Sequence, residues 1–241
     1  MNVYWLEQTE ADVPAENDWL SATENVCLNG MRFAKRRADW RLGRWTAKRA
    51  LAVWLQVPAQ PLVLAKIEIR PAPSGAPEAF FADKPASVTI SLSHRSGKAM
   101  CAIAPSGVDL GCDLEMIEPH SDAFVADYFT DDEQALVART PGQDQSRILA
   151  MLWSGKESTL KALRTGLRVD TRRVVVSPDN ASIALNGWSP LQVRYSDGRD
   201  FRGWWQHTDS TLRTLVADPA PASPIPLQLP AYFSDRIARC A

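Results

Sequence analysis

Asp109, Asp113 and Glu115 lie in Val108–Glu115, a run that reads as a β-strand, and their shared parity projects all three from one face. Carboxylates crowded on one face repel one another and are costly to bury. A divalent cation removes that cost, and an all-oxygen donor set favours Mg²⁺, Ca²⁺ or Mn²⁺ over zinc. An exposed edge strand carrying solvated acids is the plainer account of the same three residues. Further along, the segment LWSGKESTLKAL sets Trp153, Glu157 and Lys161 on one helical stripe, with Lys156 and Leu160 beside them. There an acid suits a metal and the ammonium groups suit phosphate oxygens. The plainer account is an exposed Glu157–Lys161 pair at i,i+4, worth about 0.3–0.5 kcal/mol. Residues 32–49 hold eight basic residues and one acid, Asp39, and Arg37, Arg41, Arg44 and Lys48 form a ridge along them. That ridge suits the phosphates of a nucleotide or of nucleic acid, and it also suits a solvated basic face. Ser93-His94 ends a strand before a glycine turn, where a hydroxyl and an imidazole can meet an anion. No Walker loop, G-x-G-x-x-G, nucleophile elbow or H-E-x-x-H is present.

Several elements must position these groups. Met31–Leu55 has helical periodicity, with Phe33, Trp40, Ala47, Leu51 and Trp54 as its apolar stripe, and Pro58 and Pro61 end it. A proline-punctuated, loop-rich stretch follows, through Pro85. Ser87–His94 alternates as a half-buried strand. Lys98–Ala104 is a second strand after the turn at 95–97, and Val108–Glu115 a third. Asp122–Arg139 reads as one helix with Phe124, Tyr128 and Phe129 on one side. Asp144–Leu163 reads as the clearest helix, stopped by Gly166. Val174–Val176, Ser182–Leu185, Leu191–Tyr195, Phe201–Gln206 and Thr211–Ala217 suggest a meander. The tail from Asp218 to Pro230 carries five prolines and suggests an extended strap or a mobile end. The order of elements predicts an α+β fold rather than alternating βαβ units. A break near Pro105–Gly107 divides the chain at 1–105 and 106–241.

The 241 residues are 45% hydrophobic with a net charge of −1, which suits a folded chain and supplies no global field toward nucleic acid or anionic membrane. Cys27, Cys101, Cys112 and Cys240 form no C-x-x-C pair, so neither a zinc site nor a disulfide framework is expected. With no apolar signal core or span, the expected setting is the cytoplasm.

Together the motifs resemble the 4′-phosphopantetheinyl transferase family, in its long monomeric type that activates peptide and polyketide synthetases. Gly111-Cys112-Asp113-Leu114-Glu115 with Pro119 is similar to its metal motif. Trp153-Ser154-Gly155-Lys156-Glu157-Ser158-Thr159-Leu160-Lys161 resembles its Trp-Ser/Ala-x-Lys-Glu-x-x-x-Lys motif, and Ile90–His94 resembles its Ser-His element. The clear resemblance covers roughly residues 87–170, with a weaker echo over Arg32–Leu51.

The resemblance implies two similar α+β halves in a pseudo-two-fold arrangement, each a small antiparallel sheet packed with a long helix. It implies Mg²⁺ (with Mn²⁺ able to substitute) at Asp113, Glu115 and Glu157, and coenzyme A as co-substrate. Lys161 and Lys156 would contact phosphate oxygens, Ser93 and His94 the 3′-phosphate, and Arg36 and Arg41 match basic positions of the first-half helix. Glu157 and Lys161 would act in catalysis. The expected partner is an apo acyl, peptidyl or polyketide carrier protein, in fatty-acid or secondary-metabolite biosynthesis, with the enzyme a monomer. Where the family usually has Gly-Lys-Pro, this chain has Gly75-Ala76-Pro77, so one phosphate-binding lysine is missing. Gly107-Val108-Asp109 is a second, partial metal motif lacking its later acid, which leaves Asp109 outside the set. The alternatives are a nucleic-acid-binding protein using the 32–49 helix and a metal-dependent phosphodiesterase using the same acids with water.

Overall fold

The structure is a computed structural model that describes residues 1–179, 187–208 and 210–229. The first part of the chain forms β1 (Tyr4–Thr9), α1 (Ala22–Asn29), α2 (Ala34–Trp54), α3 (Pro61–Leu64), β2 (Ile67–Pro71), β3 (Pro77–Phe81), β4 (Lys84–Pro85), β5 (Val88–Arg95) and β6 (Lys98–Pro105). The second part forms β7 (Asp109–Met116), α4 (Asp122–Tyr128), α5 (Asp131–Arg139), α6 (Gly142–Ala162), β8 (Val174–Pro178), β9 (Ser189–Tyr195), β10 (Asp200–His207), β11 (Thr211–Asp218) and β12 (Ile225–Pro226). The fold is α+β. Its sheets run β12-β1-β6-β5, β7-β11-β10-β9-β8 and β2-β3-β4. α2 lies on the first sheet and α6 on the second, each over its own apolar cluster. A third cluster, with Met100, Leu110, Trp188 and Leu215, fills the seam between the two larger sheets.

That seam depends on β5 and β7, which pack side by side yet belong to different sheets. The link between them is made by hydroxyls: Ser91 Oγ accepts from the Cys112 amide at 2.9 Å and Ser93 Oγ from the Leu114 amide at 3.2 Å. Alternation predicts one wet face for this strand, but Thr89, Ser91 and Ser93 are buried. Ser91 and Ser93 satisfy backbone donors that would otherwise be orphaned at the sheet boundary. Glu7 on β1 and Arg213 on β11 form a bidentate pair across the same seam, with one contact at 2.8 Å. The proline-rich tail is a strap over its described part: the amides of Ala222, Ile225 and Leu227 donate to the carbonyls of Met1, Val3 and Trp5, adding β12 parallel to β1.

Both 21-residue helices carry a fully buried lysine. Lys48 Nζ donates to the carbonyls of Trp19 and Leu64, each at 3.0 Å, and pairs with Glu24, the third residue of α1, whose carboxylate also closes a capping box on Ser21. Lys156 Nζ donates to the carbonyls of Thr171 and Val174 and lies 2.8 Å from Glu133, which closes a capping box on Thr130. Burial pulls both lysines below the ordinary range, opposed by their glutamates.

Four expectations change. The helix expected over Asp122–Arg139 is two, because the Thr130/Glu133 box starts a new one. The loop-rich stretch holds the β2-β3-β4 sheet, its strands short and ended by Pro71, Pro77 and Pro85. Phe33 stands outside α2 as its N-cap and is 72% exposed, so the apolar stripe begins at Trp40. The basic ridge turns inward: Arg37 donates to Leu28 and Met31 carbonyls, Arg41 to those of residues 14–16, Arg44 lies 3.7 Å from Glu24, and Lys48 is sealed. With Arg37, Arg41 and Lys48 held by internal carbonyls, the ridge offers little to nucleic-acid phosphates. The expected strand Ser182–Leu185, Cys240 and the last proline of the tail lie outside the described residues. Among the described residues no helix is long and apolar enough to cross a membrane.

Candidate active site

α6 and β7 approach unusually closely. A Cβ added at Gly111 would stand 1.7 Å from the Ser158 carbonyl oxygen, so only glycine permits this contact. On β11, Thr214 sits opposite Asp113 and takes Ser158 Oγ at 2.6 Å and Ser154 Oγ at 2.9 Å. Small hydroxyl residues thus let the helix backbone press on the sheet. Glu157 and Lys161 are thereby delivered beside the acids of β7.

Asp113, Glu115 and Glu157 present carboxylate oxygens that all lie within 4.8 Å of one another. Asp113 is 1% exposed. Its Oδ1 accepts from Lys161 Nζ at 2.7 Å and from Ser93 Oγ at 2.8 Å. Its Oδ2 is buried with no hydrogen-bond partner. Lys161 also donates to the Cys112 carbonyl at 3.1 Å and lies 3.9 Å from Glu157. Glu115 faces Arg95 at 3.4 Å, and Arg95 also holds Glu118 at 3.0 Å.

The electrostatics of the cluster are unbalanced. Burial pushes the Glu157 carboxyl up to about 7, and the neighbouring Asp113 adds to the rise. Burial also raises Glu115, again with Asp113 contributing. For Lys161 burial works against the ammonium, but Asp113 and its other negative neighbours outweigh it and the group stays above the ordinary lysine range. Lys161 and Arg95, the latter shared with Glu118, therefore do not neutralise the three acids. A buried carboxylate oxygen left unpartnered costs about 1–3 kcal/mol or more. The donor set fits a hard divalent cation, because three carboxylates would supply the oxygen ligands that Mg²⁺ prefers.

Lys161 and Ser93, both hydrogen-bonded to Asp113, also line a cleft between the two parts of the chain. One cavity of about 270 Å³ is lined by Lys161 and Arg164 on one wall and by residues 74–77 on the other. The next, about 260 Å³, shares Gly75, Pro77 and Leu92 with the first and adds Ser93, His94, Arg44 and Arg70. A third, about 550 Å³, shares Asp39, Trp40 and His94 with the second and adds Lys35 and Arg36. The cleft is thus basic along its length, with Asp39 the one acid in these three linings.

The expected residues divide accordingly. Asp113, Glu115, Glu157 and Lys161 come together, and Ser93 joins them through Asp113. Arg36 and His94 line one cavity at the far end of the cleft. Lys156 does not join this group. Adjacent residues on a helix point about 100° apart, and this lysine is 0% exposed and held by Glu133 and two carbonyls. Arg41 is likewise occupied, by the carbonyls of residues 14–16. Sequence reasoning missed Arg70, Arg95, Arg164 and Thr214, which carry no motif of their own and enter only through folding. Arg44 counted there as part of a ridge rather than of the cleft.

Residues 109–218 match the family model of the 4′-phosphopantetheinyl transferase superfamily. This segment therefore carries a domain of that superfamily, whose members use coenzyme A as substrate, and it supports transfer of phosphopantetheine to carrier proteins. No curated protein matches the chain.

Proposed function

We propose that the protein transfers the 4′-phosphopantetheine group of coenzyme A to a serine of an apo acyl, peptidyl or polyketide carrier protein, with Mg²⁺ held by Asp113, Glu115 and Glu157 and 3′,5′-ADP released. The observation that carries this is the unpartnered, buried Asp113 Oδ2 in a three-acid cluster whose partners Lys161 and Ser93 line a basic cleft. Bound there, a divalent cation would supply the positive charge that the crowded pyrophosphate oxygens need. Asp113 is pre-aimed by Ser93 and Lys161, so little ordering remains at the moment of reaction.

The carrier serine oxygen forms a bond to the β-phosphorus while the bond from that phosphorus to the bridging oxygen breaks. The bridging oxygen leaves with 3′,5′-ADP, and the Lys161 ammonium faces the charge that develops on it. The serine proton passes to a Glu157 oxygen not used in holding the cation. The basic stretch from Arg44 to Arg36 and His94 suits the adenosine 3′-phosphate. We also take residues 1–105 and 106–241 to be related halves, on the parallel of Lys48–Glu24 with Lys156–Glu133.

The test is incubation with coenzyme A, Mg²⁺ and an apo carrier protein, followed by mass spectrometry of the carrier. A gain of one phosphopantetheine supports the proposal. Cleavage of coenzyme A with the carrier unmodified would point instead to a phosphodiesterase and refute it.

A further inference from the structure

Arg164 stands just beyond the last turn of α6 with a φ of +55°, a left-handed position that glycine fills best. The stop itself is ordinary: the Thr165 amide donates to the Leu160 carbonyl at 3.1 Å and the Arg164 amide to that of Lys161 at 3.0 Å. α2 ends in the same way, with Gln56 at a φ of +54°, so helix termination asks for no cation here. The Arg164 guanidinium nevertheless meets no carboxylate or carbonyl among the described residues. It lines the cavity of about 270 Å³, three residues along the helix from Lys161, and no acid shares that lining. The facing wall, Ser74-Gly75-Ala76-Pro77, is uncharged. Arg168 Nη2 donates to the Ser74 carbonyl at 3.1 Å and so ties the turn after α6 to that wall. Arg164 within these largely apolar walls, with Lys161 beside it shared with Asp113, makes a site for a phosphate withdrawn from water.

We infer that Arg164 holds a phosphate oxygen of coenzyme A across this cavity, supplying from the end of α6 the charge that Ala76 on the facing loop does not. The inference rests on the proposed transferase reading. It also accounts for a non-glycine residue in a left-handed slot: the backbone would accept glycine more readily, and the side chain is what the site needs.

The experiment compares the full-length protein with Arg164→Gly and with Arg164→Gly/Ala76→Lys. It measures thermal stability, steady-state carrier modification against coenzyme A concentration, and calorimetric binding of 3′,5′-ADP. Arg164→Gly is expected to keep or raise the melting temperature while KM for coenzyme A rises about tenfold and kcat changes less than about twofold, the loss of one charge-assisted contact. Ala76→Lys in that background is expected to restore most of the affinity, because it returns a cation from the opposite wall. An unchanged KM, or a raised KM that Ala76→Lys does not recover, overturns the inference. So does a loss of stability in Arg164→Gly, which marks a structural role. If the unsubstituted protein modifies the carrier, these outcomes leave the transferase reading standing. If it neither modifies any carrier nor binds 3′,5′-ADP, both fall.

Discussion

Removing the charge of Glu157 should stabilise the metal-free protein above about pH 4.5, with the full effect reached above about 7. In the folded chain burial, assisted by Asp113, holds this carboxyl near 7, against an ordinary value of 4.5. The folded state therefore binds more protons than the unfolded state between those two values, and stability falls as pH rises through that window. A shift of that size has a ceiling of roughly 3.4 kcal/mol at 1.36 kcal/mol per pH unit. The Glu157 side chain is 22% exposed, so solvent screening leaves about 1–2 kcal/mol. For a chain of this length that is about 2–8 °C in melting temperature. Scans in EDTA should accordingly place Glu157→Gln above the unsubstituted protein at pH 8 and level with it near pH 4.5. Mg²⁺ at pH 8 should raise the unsubstituted protein and have much less effect on the variant. If the two proteins show the same change in melting temperature between pH 4.5 and pH 8, Glu157 does not carry the unfavourable charge and the cation-site argument loses its energetic basis.

Other consequences follow from the same packing. Asp113→Ala removes the buried, unpartnered Oδ2, so in EDTA its melting temperature should stay within a few degrees of the unsubstituted protein. Carrier modification should drop at least about 100-fold, and the stabilisation by Mg²⁺ should vanish. Gly111→Ala would put a methyl 1.7 Å from the Ser158 carbonyl, which α6 can relieve only by lifting from β7; a loss of about 3 kcal/mol or more and failure of Mg²⁺ to stabilise the remaining folded protein are expected in thermal scans. Lys156→Met strands Glu133 without its cation in the core and should cost about 3–5 kcal/mol in denaturant titrations. Folded Lys156→Met should keep the KM for coenzyme A, because this lysine does not reach the cleft; a KM raised more than about threefold would restore Lys156 to the phosphate site.

The parts of this protein written in local pattern could be read without coordinates. The parity of Asp113 and Glu115, the helical spacing of Glu157 and Lys161, and the strands at β5, β6, β7, β9, β10 and β11 all follow from periods of two and 3.6. What escaped was tertiary. Lys156 and Lys161 look alike in sequence, but one points into the core and the other across the seam, and only the packing of β8 and β7 decides which. The ridge of Arg37, Arg41, Arg44 and Lys48 has the spacing of a solvated face, yet carbonyls from residues 14–31 fold over it. The Thr130/Glu133 capping box was visible as T-D-D-E and was hidden by the aromatic stripe running toward it. The short strands around Pro71 and Pro77 pair only because β3 packs on β5.

The two long helices show how little separates scaffold from site. Each buries a lysine at its fifteenth residue, each of these lysines faces a glutamate from a capping box, and each helix stops at a left-handed residue eight places after that lysine. That framework costs desolvated charge and in return fixes the rotation of each helix about its axis, because a misaligned lysine would leave two ions unpaired in the core. In α2 the residue after the lysine is Arg49, and in α6 it is Glu157. With rotation fixed by Lys156, Glu157 is aimed at Asp113 and Glu115, and Gly111 brings the helix close enough for Lys161 to reach Asp113. The acids on β7 are thus joined by Glu157 through a core lysine that stands outside the cluster.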